Sequence, residues 1–220
     1  MRRAAEPPRP PELPIQLQRV EISALDHDAS YLEIELADAA LLAQHAKGVT
    51  FQAAKLIKID LPDSRLDHLR VVDSALDSCN LANVQGSSAN LTRVTIQTSR
   101  LTGIALSEAK LQDVTIRDCR VDLASFGRSR LERVTFADCL LSQTDFLDAQ
   151  LESVRFHRCD LTRADFRGAR LKHCEFRRSD LTALEGVQSL RGAAMEWSDI
   201  VEMAGVWAAA VGVEVLDAEC

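Results

Sequence analysis

From Leu91 to Leu181 every fifth residue is large and apolar: Leu91, Ile96, Leu101, Leu106, Leu111, Ile116, Val121, Phe126, Leu131 and Phe136, then Leu141, Phe146, Leu151, Phe156, Leu161, Phe166, Leu171, Phe176 and Leu181. A helix of about 3.6 residues per turn would smear such a pattern around its circumference, and a strand, which alternates sides, cannot produce it either. The residue two positions before each of these is mostly small or β-branched, as in Ala89, Val94, Ser99, Ala109, Val114 and Cys119, and the other three positions are mostly polar. The chain must therefore bend at a fixed interval and send one bulky side chain inward per bend.

A second period of 20 residues lies on top of the first. Leu91, Leu111, Leu131, Leu151 and Leu171 form one column, and Ile96, Ile116, Phe136, Phe156 and Phe176 another. Leu81, Leu101, Val121, Leu141, Leu161 and Leu181 form a third, and Leu106, Phe126, Phe146 and Phe166 the fourth. A chain that turns a corner every five residues closes a square after four turns. Coils stacked at the strand spacing of ~4.8 Å would hydrogen-bond to one another through their backbones. The predicted core is thus the Leu91 column with Phe126, Phe136, Phe146, Phe156, Phe166 and Phe176. In one coil, Leu131 should face Leu141 and Phe136 should face Phe146. Small residues such as Cys119, Cys139 and Cys159 should fill the narrow interior at the corners.

The units Ala164-Asp165-Phe166-Arg167-Gly168 and Ala169-Arg170-Leu171 read as A-(D/N)-(L/F)-x-x, and the chain resembles the pentapeptide-repeat family. The resemblance implies an all-β solenoid, a right-handed quadrilateral β-helix, here expected over residues 49–186. The register is weaker before Leu76, where Ile59 and Leu69 stand at small-residue positions, and Gly86 replaces an inward residue. No insertion in the run is long enough for a projecting loop. The family implies two further things. Some members resemble duplex DNA in width and charge and occupy DNA gyrase or topoisomerase IV, protecting it from quinolones or toxins. Several pair into homodimers through their C-terminal ends.

The ends differ from the middle. Residues 1–14 hold Pro7, Pro8, Pro10, Pro11 and Pro14 and read as a disordered or polyproline-type tail. Residues 15–48 are expected to form an N-terminal cap or an irregular first coil; alternation over Tyr31–Leu36 suggests a strand, and Ala37–Ala46 a helical turn or imperfect coil. Residues 187–220 are expected to be a helical cap, because solenoid ends need covering. Ser198 is the candidate N-cap, with Asp199 in the first turn. Ile200, Met203, Ala204, Trp207, Ala208 and Val211 share one helical face, Gly212 is a plausible stop, and Val213–Val215 could be a short strand. Trp197, Val206, Trp207 and Val211 are the candidate dimer interface.

Candidate chemistry is sparse. The six cysteines include no C-x-x-C pair. Cys119, Cys139 and Cys159 would stack with parallel side chains, whereas zinc wants four ligands converging tetrahedrally. His157 and His173 should point outward while their neighbours Cys159 and Cys174 point inward. No serine, histidine and acid form a nucleophilic arrangement, and there is no glycine-rich phosphate loop, so neither an enzyme, nor a metal, nor a cofactor is expected. The Asn90-Leu91-Thr92 sequon has no meaning without export. Met1–Pro14 lacks an apolar segment of the secretory kind, and no stretch is long enough to span a membrane, so a reducing cytoplasm is expected.

The net charge of −7 argues against direct nucleic-acid binding. It is concentrated at the ends: residues 181–220 carry −6, whereas residues 121–180 carry +1. In one outer column the sign alternates from coil to coil through Arg93, Asp113 and Arg133, while Arg158, Arg163, Arg167, Arg170, Arg177 and Arg178 enrich the last coils in positive charge. The residues thus read as a non-catalytic solenoid for protein binding or scaffolding, of unknown partner. The alternative, from the family, is a DNA mimic of type II topoisomerase substrates.

Overall fold

The computed structural model describes residues 4–214. They form a parallel β-solenoid of about nine turns. Strands Asn90–Gln97, Lys110–Arg117 and Arg130–Ala137 stack in register at an offset of 20 residues, so that Leu91, Leu111 and Leu131 lie above one another, as do Ile96, Ile116 and Phe136. The remaining two faces are joined at the same offset by single bridges, such as Arg120 to Leu140 and Ser125 to Asp145, apart from the strands His45–Lys47 and Arg65–Asp67, which pair with each other.

The corners explain how a square is drawn by ordinary residues. The residue two positions after each inward side chain is left-handed, as in Arg133 (φ 51°), Asp138 (φ 55°), Gln143 (φ 56°) and Asp148 (φ 56°). That conformation costs a non-glycine residue roughly 1–2 kcal/mol. Each of these corners also donates its N–H to the next coil: Asp138 to the His157 carbonyl at 3.0 Å, Gln143 to Thr162 at 2.9 Å and Asp148 to Arg167 at 3.0 Å. A bond of this kind returns about 0.5–1.5 kcal/mol net, so hydrogen bonding and burial together hold a backbone no isolated segment would keep. Few corners use glycine. At Gly168 (φ 68°) an added Cβ would collide with the Asp148 carboxylate one coil below.

Inside, the bulky residues are buried. Phe126, Phe136, Phe146, Phe156, Phe166 and Phe176 are fully enclosed, with Leu91, Leu111, Leu131 and Leu151 beside them. Leu171 is only half-buried, because the coil above it is replaced by a 3-10 turn over Val187–Leu190 rather than by another strand. Phe136 faces Phe146 across the axis, edge to face at 6.4 Å between ring centroids.

The solenoid begins earlier than residue 49. Ser30–Leu32 already pairs with Thr50–Gln52, and Glu35–Ala37 with Lys55–Ile57, at the offset of 20. Before that, Gln18–Val20 pairs with Ile34–Leu36 at an offset of 16, which is the irregular turn. Ala37–Ala46 is not helical: Leu36, Leu41 and Ala46 are buried at five-residue spacing, and that burial overrides the local alanine content. Of the two readings of the N-terminal tail, disordered or polyproline-type, the described residues do not fit a loose one. Residues 4–14 lie extended along the outside of the coils, with Ala5 buried.

At the other end the register slips to an offset of 19, Glu175 pairing with Ala194. Helices α1 (Trp197–Glu202) and α2 (Ala204–Ala210) follow, broken at Met203. Glu196, not Ser198, precedes the first turn, and Ser198 lies within it. Asp199 is turned inward and accepts the Arg178 backbone N–H at 3.2 Å, tying the cap to the last regular coil. Because of the break the apolar face is not one stripe: Met203 is buried and Val206, Trp207 and Ala210 pack against the core, but Val211 is exposed. Val213 and Glu214 are not in a strand, and Val215 lies outside the described residues.

Candidate interaction surface

The interior offers packing rather than chemistry. Cys79, Cys119, Cys139, Cys159 and Cys174 are buried free thiols. They do more than fill corners. The Cys139 thiol donates toward the carbonyls of Ile116 (3.4 Å) and Ala137 (3.2 Å), and Cys119 toward Arg117 (3.0 Å). Ser129 and Thr144 make the same bond to Leu106 and Val121 at 2.6 and 3.0 Å. Sulfur and hydroxyl thus serve alike at the small-residue positions of different columns, and within the cysteine column Ser179 makes the same bond to the Phe156 carbonyl at 3.3 Å. Burial pushes the Cys79 thiol up and that of Cys174 up to about 11, which disfavours the reactive thiolate. Among the described residues no group of three His, Cys, Asp or Glu is placed to hold a metal ion. An apolar cavity of about 50 Å³ lies among the coils below the phenylalanine stack, lined by Leu66, Leu91, Leu101, Leu106 and their neighbours, with no polar group to orient a ligand.

Outside, the charges form ladders between coils. Arg158 donates to both Asp138 oxygens at 2.6 Å, and Lys172 to Glu152 at 2.5 Å. These exposed pairs each contribute little, but they cancel charge along the rod. Asp145, Asp165 and Glu185 make an acidic column confined to the last coils, and Arg167 reaches Asp165 at 2.7 Å and Glu185 at 3.3 Å. Arg70, Lys110, Arg130 and Arg170 form a basic column on another face, with Asn90 and Gln150 between them. No acidic stripe runs the length of the described coils. His157 lies beside Glu175 (3.9 Å); burial, despite that carboxylate, holds its pKa below the usual imidazole value.

One corner column stands apart. Asp73, Arg93, Asp113, Arg133, Ser153 and His173 are buried or half-buried, whereas the corners Ser78, Thr98, Asp118, Asp138, Arg158 and Arg178 on the adjoining edge are exposed. The tail causes the difference. The Arg9 N–H donates to Asp113 Oδ1 and the Glu12 N–H to Asp73 Oδ1, each at 3.1 Å, and the Ala5 N–H reaches Glu175 Oε1 at 3.3 Å. Arg155 returns a bond to the Ala5 carbonyl. Arg133 clasps Asp113 through Nε at 2.7 Å and Nη2 at 3.0 Å. Burial alone would raise the Asp113 pKa; Arg133 and the Arg9 N–H more than offset it, and the carboxyl stays below its ordinary value. Sequence reasoning missed this contact. Its one signal was the spacing Pro8-x-x-Pro11-x-x-Pro14.

The candidate dimer residues divide into two kinds. Trp197 is 80% exposed and Val211 76%, with Val201 and Val213 also exposed nearby in sequence. Val206 and Trp207 are partly buried against the core.

A family model described as a pentapeptide repeat region matches residues 119–185. Among solved structures the chain is similar to HetL, a pentapeptide repeat protein involved in heterocyst differentiation regulation in the cyanobacterium Nostoc, at 18% identity, covering 82% of this chain and 88% of that one with a TM-score of 0.50. It is also similar to QnrB1, a plasmid-mediated fluoroquinolone resistance protein, at 14% identity, 91% and 97% coverage and a TM-score of 0.47. At 18% identity the likeness to HetL concerns the fold alone. No curated protein sequence matches the chain.

Proposed function

For a chain that belongs to the pentapeptide-repeat proteins, we propose a non-catalytic role as a protein-binding or scaffold module, working as a homodimer in the cytoplasm. The observation that carries this reading is the set of apolar side chains left exposed on and just after the terminal helices: Trp197, Val201, Val211 and Val213 are all more than half exposed. Water is a poor neighbour for such a side-chain set, and a cap with no second task would keep only the face it lays on the last coil apolar. A second copy seated there would pair the two rods end to end. Trp207 and Val206 then serve the cap, and Trp197 and Val211 the partner.

The test is sizing by light scattering at micromolar concentration. Wild type is expected as a dimer and Trp197→Glu as a folded monomer; a monomeric wild type ends the dimer reading.

The family's other role, mimicry of DNA toward gyrase or topoisomerase IV, needs negative charge along the rod, because a DNA groove on an enzyme is basic. The coils here alternate in sign, and the acidic column is short and paired with Arg167. We therefore expect no strong effect in a gyrase supercoiling assay with and without a fluoroquinolone. Inhibition or drug rescue at low micromolar protein that weakens with salt would promote mimicry over scaffolding.

A further inference from the structure

We propose that the corner column from Asp73 to His173 is a recognition groove for proline-rich peptides in the left-handed extended form, occupied in cis by residues 4–14, and that a proline-rich segment of a partner protein enters by displacing this tail. The inference rests on the protein-binding reading and gives that binding a ligand class.

Three observations converge. The first is a matched pair of rulers. Arg9 and Glu12 are three residues apart, and polyproline II rises about 3.1 Å per residue, so their N–H groups are separated by about 9 Å. Their acceptors, Asp113 and Asp73, stand two coils apart in one column, which is about 10 Å at the strand spacing. The second is burial at every third residue from Ala5 to Pro11: Ala5 is buried and Pro8 and Pro11 are half-buried, whereas Glu6, Pro7, Arg9, Pro10 and Glu12 are exposed; beyond them Leu13 and Pro14 are both half-buried. A threefold helix laid on a flat face presents every third side chain to it. The third is what the groove reads. The donors to Asp73 and Asp113 are backbone N–H groups, and the Arg9 and Glu12 side chains that accompany them are exposed. Recognition therefore depends on where prolines leave N–H groups free, and any P-x-x-P-x-x-P segment with donors in that phase presents the same pattern.

The groove is preorganised to accept those donors. Arg93 holds Asp73 by a two-pronged contact, and Arg133 holds Asp113 the same way. Hydrogen bonds to Arg93, and secondarily to the Glu12 N–H, keep the Asp73 carboxyl below its usual range despite the opposing effect of burial. Both carboxylates are thus ionised acceptors aimed outward between fixed guanidinium groups. The tail lies on the outside of finished coils, bonded at Ala5, Arg9 and Glu12, so it can exchange without opening the rod. Its attachment just before the first strand at Gln18 keeps its local concentration high, which makes it a competitor that an incoming segment must outlast.

Two measurements on the full-length protein test this. Amide hydrogen exchange on wild type should show Arg9 and Glu12 protected. A fluorescent peptide with the sequence of residues 4–14 should bind the full-length double variant Arg9→Pro/Glu12→Pro, whose own tail lacks both donors, at least tenfold more tightly than wild type. The same peptide with proline at both donor positions should bind neither protein. The substitutions fall on exposed tail residues outside the coils, and far-UV dichroism checks that the rod is unchanged. Free-chain exchange at Arg9 and Glu12 would overturn the groove outright. Protected amides together with a double variant that ignores the peptide would make the tail a fixed clamp, overturning ligand exchange while leaving protein binding at the terminal apolar surface intact.

Discussion

The coils that carry phenylalanine and those that carry aliphatic residues obey one backbone rule and fill it differently. From Phe126 to Phe176 two columns of rings stack along the axis. Phe136 lies on Phe156 at 5.2 Å and Phe156 on Phe176 at 4.8 Å, while Phe146 lies on Phe126 at 5.3 Å and on Phe166 at 4.8 Å. The columns meet edge to face, as Phe146 does Phe156 at 5.7 Å. Phe146 and Phe156 therefore have like neighbours above, below and across, and the edge-to-face contacts are ones that aromatic quadrupoles favour. In the coils below, Leu, Ile and Val occupy the same positions, Gly86 supplies no side chain at all, and the cavity of about 50 Å³ opens there. The coil spacing is set by backbone hydrogen bonds and is the same in both regions. What differs is whether the inward side chains are thick enough to fill a square whose width the backbone has already fixed.

The largest effect should come from breaking the aromatic stack. Phe146→Ala is expected to cost about 3–5 kcal/mol in urea unfolding, because the backbone ladders on all four faces resist collapse into the space. Leu106→Ala, one column-mate below Phe126 and already beside the cavity, should cost less, about 2–3 kcal/mol. Equal losses at the two sites would mean that the stacked rings add nothing beyond area. The comparison sharpens in the opposite direction at Gly86. An added Cβ there would stand 3.1 Å from Leu106 Cδ2, the tip of a side chain that borders free volume and can yield, and the backbone at Gly86 is not left-handed. Gly86→Ala should therefore stabilise by about 0.5–1 kcal/mol, read as a raised melting temperature. A lowered one would show that Leu106 is held fast.

The smallest effect is kinetic. Under native conditions at pH 8, Cys79 and Cys139 should both resist thiol reagents, being 2% and 1% exposed and having thiols whose pKa is raised, that of Cys79 chiefly by burial. As urea is added below the unfolding midpoint, Cys79, near the cavity, should label before Cys139, which sits among the rings. Simultaneous labelling would indicate that the rod opens as one unit and that the two regions are energetically alike.

The residues themselves determined most of the rod. One bulky side chain per five residues and one column mate per 20 leave a single closed path, so the strands, the inward columns and the Phe136–Phe146 contact were legible before any coordinates. The periodic signal also extended to Leu36, Leu41 and Ala46, where alanine-rich neighbours suggested a helical turn; burial in a coil decided otherwise. What only the tertiary structure decided lies where periodicity stops. The break at Met203 and the inward turn of Asp199 depend on where the last coil ends and which backbone N–H it leaves open. The docking of the proline-rich tail depends on partners such as Asp113, 104 residues away in sequence from Arg9. A repeat encodes contacts at a constant separation, so each unit states its neighbours. A contact made once between the end of the chain and a face assembled from six coils has no repeat to announce it, and it exists only after stacking has brought Asp73, Asp113 and Glu175 into line.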